Sequence, residues 1–371
     1  MKNPRERFII ITILVALLFI LFSTTIFSIS DISLSARSAA LYEPETKNFL
    51  YTKNADSRLP MASTTKIMTA LVAIENCDLD KKIEVDDRAI GIEGSSLYLK
   101  HGEVLSMRDL LTGLMLRSAN DAAAAIAYAI SGGIDEFASK MNEKAYTLRL
   151  KDTHFTNPHG LDNDEHYTTA KELALIAAEA MKNETFKEIV SQKKEIIENS
   201  DGEARLVLNH NKLLTLYDGA IGIKTGFTKR SGRCLVGASE RDGLTFITVT
   251  INAPDDWSDH KKLFDYGYSL LEMRNITSPG EFIYKIPILD SENEFLTVKN
   301  TDSLNLILRK DAPGIEAHVK LMKYAVAPIK KNDIVGKVIF TLEDKYIGEI
   351  NLVAENDVYK KENNRFFSFL K

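Results

Sequence analysis

The pattern of apolar and polar positions divides the chain into four kinds of sequence. An uncharged apolar run covers residues 8–29. At about 1.5 Å per residue, a helix of that length can cross the roughly 30 Å hydrocarbon core of a membrane. Helical spacing of apolar residues and alanines dominates residues 63–182, and short apolar runs bounded by turns follow from about residue 193. A polar and aromatic tail covers residues 359–371.

The first folded part is expected to combine helices with a sheet. Helices are predicted at 63–74, 110–116, 121–130, 134–147, 169–182 and 258–273. Their end signals are two capping boxes and one C-cap, formed by Ser106 with Asp109, Thr169 with Glu172, and Gly132. Strands are predicted at 39–42, 49–52, 206–208, 220–225, 234–239 and 244–251. Because strands stand at both ends with helices between them, we expect one α+β domain whose antiparallel sheet is assembled from its two ends around a helical cluster.

The second folded part has no long helical pattern. Strand-like runs occur at 282–287, 304–308, 337–342 and 349–353. We therefore expect a small all-β domain over residues 276–358, preceded by the α+β domain over residues 31–275. For the tail at 359–371, both a frayed end and a membrane-surface contact remain open.

The N-terminal segment, residues 1–30, indicates export. Lys2, Arg5 and Arg7 against Glu6 give the first seven residues a net charge of +3 − 1 = +2. Such a basic flank stays in the cytoplasm, so the rest of the chain is expected at the extracytoplasmic face of the membrane. The apolar run is longer than the core of a typical signal peptide, and residues 30–36 offer no clean cleavage site. A cleaved signal peptide and an uncleaved anchor therefore both remain open.

Composition excludes several classes of protein. Of 371 residues, 44% are hydrophobic and 27% are charged, as in ordinary globular proteins. The net charge of −5 argues against a nucleic-acid-binding face. The only cysteines, Cys77 and Cys234, exclude a disulfide scaffold and a four-cysteine zinc module. We expect both cysteines to be buried apolar residues, although one disulfide between them remains possible.

Ser63 and Lys66 form the first candidate for chemistry, in the sequence Ser63-Thr64-Thr65-Lys66. A serine hydroxyl attacks a carbonyl only with a base beside it. If Ser63 opens a helix, a residue three positions later lies on the same face, one turn along. Lys66 then becomes the base, provided that burial or another cation keeps its amine neutral. Taken alone, this spacing also occurs by chance in a capping serine with a surface lysine.

Two further motifs supply the remaining groups. Ser118 and Asn120 lie between two predicted helices, where a hydroxyl can relay a proton and an amide can orient a substrate carbonyl. Lys224, Thr225 and Gly226 lie at the end of an apolar strand. There the lysine offers a second cation and the threonine a donor to a carboxylate, while the glycine lets a substrate backbone approach closely. Each motif alone is more often an ordinary loop or strand end.

The three motifs together, in this order, resemble the set of penicillin-binding proteins and class A β-lactamases. The chain is similar to the serine D-alanyl-D-alanine carboxypeptidases, the low-molecular-mass penicillin-binding proteins, over roughly residues 36–275. The segments that carry the resemblance are 36–42, 58–70, 94–99, 157–161, 218–228 and 232–239. The β-rich part that follows resembles the C-terminal domain of the same family. The implied fold is a β-lactamase/transpeptidase-like α+β domain, followed by an all-β domain whose partner the sequence does not reveal.

The resemblance implies a mechanism and a substrate. Ser63 attacks the penultimate D-alanine carbonyl of a peptidoglycan pentapeptide, with Lys66 as base and Ser118 as proton relay. The backbone N–H groups of Ser63 and Phe227 form the oxyanion hole, and Lys224 with Thr225 holds the terminal carboxylate. β-Lactam antibiotics are implied as covalent inhibitors of Ser63. Neither a cofactor nor a metal is implied.

Two departures from the family pattern concern substrate binding. Phe227 stands where some members have a histidine, although only its backbone amide is needed. Some members also carry an arginine shortly after the last strand of the sheet, and this arginine assists in carboxylate binding. Residues 252–259 of this chain, Asn-Ala-Pro-Asp-Asp-Trp-Ser-Asp, contain none.

Other functions are compatible with the same scaffold. A β-lactamase needs a deacylating glutamate that is followed three residues later by asparagine, and no glutamate between Ser118 and Lys224 has that spacing. A D,D-endopeptidase and an inactive cell-wall-binding homologue also remain as alternatives. His154, His159 and His166 lie within thirteen residues, but their spacing fits no single helix face, so they are interpreted as loop histidines rather than metal ligands.

Overall fold

The computed structural model describes residues 32–362. The predictions for the N-terminal segment 1–30 and for most of the tail lie outside this range. From Ser35 onward the described chain forms one compact unit. Within the described range, every helix is too short or too polar to cross a bilayer.

Eight α-helices are described. They are α1 Lys66–Asn76, α2 Met107–Leu116, α3 Asn120–Ser131, α4 Ile134–Thr147, α5 Ala170–Ala180, α6 Glu184–Ser191, α7 Leu213–Leu216 and α8 Asp256–Leu270. A 3₁₀ turn, Ala62–Thr65, leads directly into α1. The predicted capping is confirmed, because Ser106 Oγ accepts from the Asp109 N–H at 3.0 Å and Thr169 Oγ1 accepts from the Glu172 N–H at 3.1 Å. Gly132 ends α3 in the left-handed conformation, with φ of 76°.

The strands of the first part form one large sheet and two small hairpins. They are β1 Ser38–Glu43, β2 Asn48–Lys53, β3 Lys82–Glu84, β4 Val104–Ser106, β5 Lys194–Glu198, β6 Ala204–Leu208, β7 Ala220–Thr228, β8 Gly232–Arg241 and β9 Leu244–Ile251. The large sheet has the order β2-β1-β9-β8-β7 and is antiparallel throughout. Strands from both ends of the first part therefore meet in one sheet, which confirms the predicted fold class.

Helices cover both faces of this sheet. On one face lies the helical cluster, whose core includes Leu110, Leu114 and Ile126 together with Val236 and Val249 of the sheet. Four consecutive alanines of α3, residues 122–125, are almost fully buried. Their small side chains let the neighbouring helices approach closely. α8 packs against β8 and β9 on the opposite face. The edge strand β7 remains beside the start of α1, and this places the chemistry at the edge of the sheet.

The last predicted helix is too long. It ends at Leu270, and Leu271–Thr277 forms strand β10, which pairs with β13, Leu304–Arg309. The apolar residues Leu271 and Met273 fit both the helical and the strand spacing of apolar residues. Pairing with a distant strand makes this segment a strand. The predicted boundary between residues 275 and 276 consequently falls inside β10.

The second part is built of strands. After β10 come β11 Ile283–Leu289, β12 Phe295–Lys299, β13, β14 Glu316–Leu321, β15 Ala325–Val326, β16 Ile334–Leu342 and β17 Lys345–Ala354. Six of them form a sheet in the order β14-β16-β17-β12-β11-β15. The four predicted strands are all present, whereas β10, β12, β14 and β15 were not predicted.

Both cysteines are free thiols in this fold. Cys234 is buried in β8, as predicted. Cys77 is only partly buried, at the end of α1, so the prediction that it is a buried residue is wrong.

Candidate active site

Ser63 lies in the 3₁₀ turn that precedes α1. The residue before it, Ala62, has a left-handed φ of 48°, a conformation that costs a residue with a side chain about 1–3 kcal/mol and is typical of functional sites. The turn is fixed by its own threonines: Thr64 Oγ1 donates to the Met61 carbonyl at 2.6 Å, and Thr65 Oγ1 donates to the Ala62 carbonyl at 2.7 Å. Ser63 is thereby held at the mouth of a cleft.

The Lys66 amine lies one turn further on and is fully buried. Its Nζ is 3.0 Å from Ser63 Oγ, 2.7 Å from Asn120 Oδ1 and 2.5 Å from the His159 carbonyl oxygen. The Asn120 and His159 oxygens can only accept hydrogen bonds, so they take two N–H groups of the amine. In a neutral amine the remaining position is a lone pair, and it faces Ser63, the one partner here that can give up a proton.

The surroundings of Lys66 favour this neutral form. Burial holds the pKa of its amine well below the ordinary value of 10.5, and the positive charge of Lys224 lowers it further. Asp121 acts in the opposite direction but more weakly. A lysine with a depressed pKa beside a hydroxyl is the arrangement expected of a general base.

Ser118 and Asn120 come from the connection between α2 and α3. Ser118 has a left-handed φ of 64°, which turns the chain and brings its side chain to the cleft wall. Asn120 begins α3, and its Nδ2 donates to the Glu93 carbonyl at 2.5 Å, which leaves Oδ1 for Lys66. The two helices therefore place a hydroxyl in the cleft and an amide beneath it.

Lys224, Thr225 and Gly226 lie on the edge strand β7. The Lys224 side chain is buried, its Nζ donates to the Thr225 carbonyl at 2.9 Å, and burial lowers the pKa of its amine to about 7. A Cβ on Gly226 would lie 3.0 Å from the Ser63 backbone nitrogen, so the missing side chain allows strand and turn to approach. Phe227 follows with 65% of its surface exposed.

The predicted site residues meet around one cleft of about 610 Å³. Five of the eight lie in its wall, namely Ser63, Ser118, Thr225, Gly226 and Phe227. The other three, Lys66, Asn120 and Lys224, lie buried beneath the wall. The arrangement can support attack by a serine oxygen on a carbonyl, with two buried lysine side chains next to it.

Sequence reasoning missed several contributors to this site. The His159 carbonyl acts through the backbone, and Asp121 acts through its charge on Lys66. Arg233 and Trp257 also line the cleft. All four lie in or next to motifs or segments that the sequence had singled out, but only tertiary contacts reveal what they touch.

The three nearby histidines do not form a cluster for a metal. Burial, and then the charge of Lys66, lowers the pKa of His159 to about 3, and burial lowers that of His166 to about 4. The Thr156 N–H donates to His166 Nδ1 at 3.0 Å, so the ring proton is on Nε2, next to Thr65 Oγ1 at 2.7 Å. In residues 32–362, no three histidine, cysteine, aspartate or glutamate side chains are placed to hold a metal ion.

Comparison with known proteins identifies the family. A family model described as D-alanyl-D-alanine carboxypeptidase matches residues 25–255. The chain belongs to the D-alanyl-D-alanine carboxypeptidase family. The resemblance inferred from the motifs is thereby confirmed. A second model, described as the C-terminal domain of penicillin-binding protein 5, matches residues 271–360.

Individual members of the carboxypeptidase family are similar along most of the chain. The D-alanyl-D-alanine carboxypeptidase DacF of Bacillus subtilis is 30% identical over 97% of this chain and 96% of its own length. DacA of Escherichia coli is 30% identical over 88% and 84%, respectively. Among solved structures, DacD of Francisella tularensis is 29% identical, has a TM-score of 0.64, and is matched over 89% of this chain and 95% of its own. Penicillin-binding protein 5 of Haemophilus influenzae has 27% identity and a TM-score of 0.65 over 88% and 98%.

Proposed function

We propose that this protein is a serine D-alanyl-D-alanine carboxypeptidase that removes the terminal D-alanine from peptidoglycan pentapeptides through an acyl-enzyme on Ser63. One observation carries the proposal. The buried Lys66 amine lies 3.0 Å from Ser63 Oγ, while its two other partners are oxygens that only accept hydrogen bonds. A neutral amine in that position can take the proton of Ser63 and no other.

Acylation follows from these contacts. As Ser63 Oγ attacks the carbonyl carbon of the penultimate D-alanine, its proton moves to Lys66 Nζ. The resulting oxyanion accepts hydrogen bonds from the backbone N–H groups of Ser63 and Phe227. Each such donor contributes about 2.7–4 kcal/mol in comparable acyl-transfer sites. The C–N bond then breaks. Ser118 passes its own proton to the leaving amine of D-alanine and takes up the proton that Lys66 received from Ser63, so that Lys66 is neutral again.

Deacylation uses the same groups in reverse. Water attacks the ester carbon and gives a proton to Lys66, Ser63 Oγ takes a proton back, and the shortened peptide leaves. Asn120 keeps Lys66 in place, since its Oδ1 accepts from the lysine amine and its Nδ2 is held by the Glu93 carbonyl, which leaves no group of the amide for a substrate. Lys224 and Thr225 hold the terminal carboxylate of the substrate, and Gly226 lets β7 lie close to the turn that carries Ser63, so its missing side chain makes room for this turn rather than for a substrate backbone.

The proposed function also assigns a role to the other parts of the chain. Residues 31–270 form the catalytic domain, and the all-β domain that follows runs to residue 358, with the junction moved from 275 to 270 because β10 pairs with β13. The apolar segment within residues 1–30 directs export and is either removed or retained as an anchor. The body then acts at the extracytoplasmic face of the bacterial membrane. β-Lactam antibiotics acylate Ser63 because they imitate the end of the substrate.

Mass measurement of the intact protein after treatment with penicillin tests this function, together with release of D-alanine from a pentapeptide. We expect one drug adduct and D-alanine release for the wild type, and neither for Ser63→Ala. Ser95→Ala is the matched control, because Ser95 also lines the cleft but contacts Asn120 only through its backbone. An adduct on Ser63→Ala, or a wild type without adduct and without D-alanine release, would contradict the proposal.

A further inference from the structure

The segment after β9 has no arginine of its own, yet it holds one from a neighbouring strand. Arg233, at the start of β8, donates from Nη2 to Asp256 Oδ1 at 2.8 Å. Its guanidinium carbon lies 5.5 Å from the centre of the Trp257 ring. Asp256 and Trp257 are the first two residues of α8 and belong to the segment 252–259 that departs from the family pattern. The segment that lacks the family's arginine therefore binds Arg233 of the neighbouring strand instead.

Arg233 is directed to the same side of the sheet as the substrate-binding strand. It lies directly opposite Phe227 in the pairing of β7 with β8. Side chains of paired residues share a face, and so do residues two apart on one strand, so Arg233 shares a face with Phe227 and Thr225. A diagonal neighbour at about 7–8 Å is within reach of a long side chain. All three residues line the cleft.

The contacts of Arg233 leave it able to bind a further anion. Its side chain is 42% exposed, whereas that of Asp256 is 3% exposed. Asp256 accepts from Nη2 alone among the guanidinium nitrogens, and Nε is buried without an acceptor in the described part of the chain, so the donors left for an anion are those at the Nη end. A guanidinium has five N–H donors in a planar fork and binds carboxylates in pairs of hydrogen bonds. One buried carboxylate therefore fixes the group without using all its donors.

We propose that Arg233 binds the carboxylate that ends the substrate peptide, with Asp256 and Trp257 as the residues that position it. This inference rests on the proposed function. Arg233 supplies the permanent charge, since a guanidinium stays protonated at any relevant pH, while Lys224 titrates at about 7. The consequence is selectivity for peptides with a free C-terminal carboxylate over those that end in a carboxamide.

The test compares two peptides that differ only at that end, D-Ala-D-Ala and D-Ala-D-alaninamide, with wild type and Arg233→Met. We expect the wild type to prefer the acid, and Arg233→Met to lose roughly 10- to 100-fold in kcat/KM on the acid while the amide changes little. Arg233→Lys should recover part of the loss, because it restores charge without the fork. Trp257 is the chain's single tryptophan, so its fluorescence reports occupancy of the cleft independently of turnover.

Arg230→Met is the matched control. Arg230 has a similar exposure of 48% and also pairs with an aspartate, Asp164 at 2.6 Å, but it lies outside the cleft wall. It should leave the preference unchanged. If Arg233→Met slows both peptides equally or neither, or if the wild type cleaves both alike, Arg233 does not bind the carboxylate. A wild type that releases D-alanine or its amide from neither peptide contradicts the proposed function itself.

Discussion

The amine of Lys66 donates a hydrogen bond of 2.5 Å to the carbonyl oxygen of His159, which lies ninety-three residues later in the chain. The loop that carries this carbonyl is folded by Asn157, whose Oδ1 accepts from the Gly160 N–H at 2.7 Å and whose Nδ2 donates to the Leu161 carbonyl at 3.1 Å. The loop thus holds the proposed base in position against the turn that carries Ser63.

Gly160 is the point at which this loop meets that turn. A Cβ at Gly160 would lie 2.0 Å from the Ala62 carbonyl oxygen, and its φ is 88°. We therefore expect Gly160→Ala to displace the His159 carbonyl and slow acylation by labelled penicillin at least roughly 10-fold, since small misplacements at an active site are costly. Gly132→Ala is the control, because its φ of 76° gives the same backbone strain while a Cβ there would meet nothing within 4 Å. Equal acylation rates for the two variants would contradict the role of the loop.

The pH dependence of catalysis should have two limbs. Lys66 accepts a proton only when neutral, so kcat/KM should rise with pH through its depressed pKa. Lys224 binds a carboxylate only when protonated, and its pKa is about 7, so kcat/KM should fall above that pH. A bound carboxylate favours the charged amine, so the alkaline limb of kcat should lie at a higher pH than that of kcat/KM.

Lys224→Met identifies the group behind the alkaline limb. The variant should be slower at every pH. Because it has no amine at this position to lose its charge, its kcat/KM should no longer fall above about pH 7. Arg230→Met again serves as a control that keeps both limbs, because Arg230 does not line the cleft. An alkaline limb that survives in Lys224→Met would assign it to another residue.

The buried amine of Lys224 should also affect stability. Its pKa is about 7 in the folded protein against an ordinary value of 10.5, so between these values the unfolded chain binds a proton that the folded chain does not. Folding stability should therefore rise with pH in this window, by up to about 1.4 kcal/mol per pH unit at 25 °C. Urea unfolding of wild type and Lys224→Met between pH 7.5 and 9.5 measures the difference. Parallel pH dependences would show that Lys224 is not the source.

The parts of the fold that sequence predicts are those fixed by local signals. Ser106 and Thr169 cap helices through hydrogen bonds to residues three positions away, and such spacing is visible in one dimension. Strand β14 was not predicted, although Ala317, Val319 and Leu321 alternate with polar residues; all its residues but Leu321 are exposed, and its pairing with β16 makes it a strand. β10 escaped because its pairing with Leu304–Arg309 outweighs a pattern that continues the preceding helix.

The site residues, too, fall into those that the sequence predicts and those that only the structure reveals. Ser63, Lys66 and Lys224 carry their chemistry in their side chains and at recognisable spacing, so the sequence alone identified them as candidates. The carbonyl of His159 could not be found like this, since every residue has one and only the folded loop aims it at Lys66. The pairing of Arg233 with Asp256 spans two elements that are far apart in sequence, so it too required the structure.

Asp121 supports the cleft from beneath, and its removal should be costly. The side chain is 1% exposed, and its carboxylate accepts from Ser96 Oγ at 2.6 Å and from the N–H groups of Leu97 and Leu99 at 3.0 and 3.1 Å. Asp121→Asn would replace one accepting oxygen by an NH₂ group that faces N–H or O–H donors. We therefore expect a loss of about 3 kcal/mol in the free energy of unfolding. The variant should also have a Lys66 amine that loses its proton at lower pH, because the Asp121 charge raises that pKa.

Asp135→Asn is the control for this change. Asp135 also lies in the first turn of a helix, α4, but is exposed, so its substitution should alter stability by less than about 0.5 kcal/mol and leave the pH profile unchanged. Denaturant unfolding and the acidic limb of kcat/KM give two separate readouts. A stable Asp121→Asn would mean that the loop at 96–99 does not need the carboxylate. A destabilised variant with an unmoved acidic limb would mean that Asp121 supports the loop without acting on Lys66.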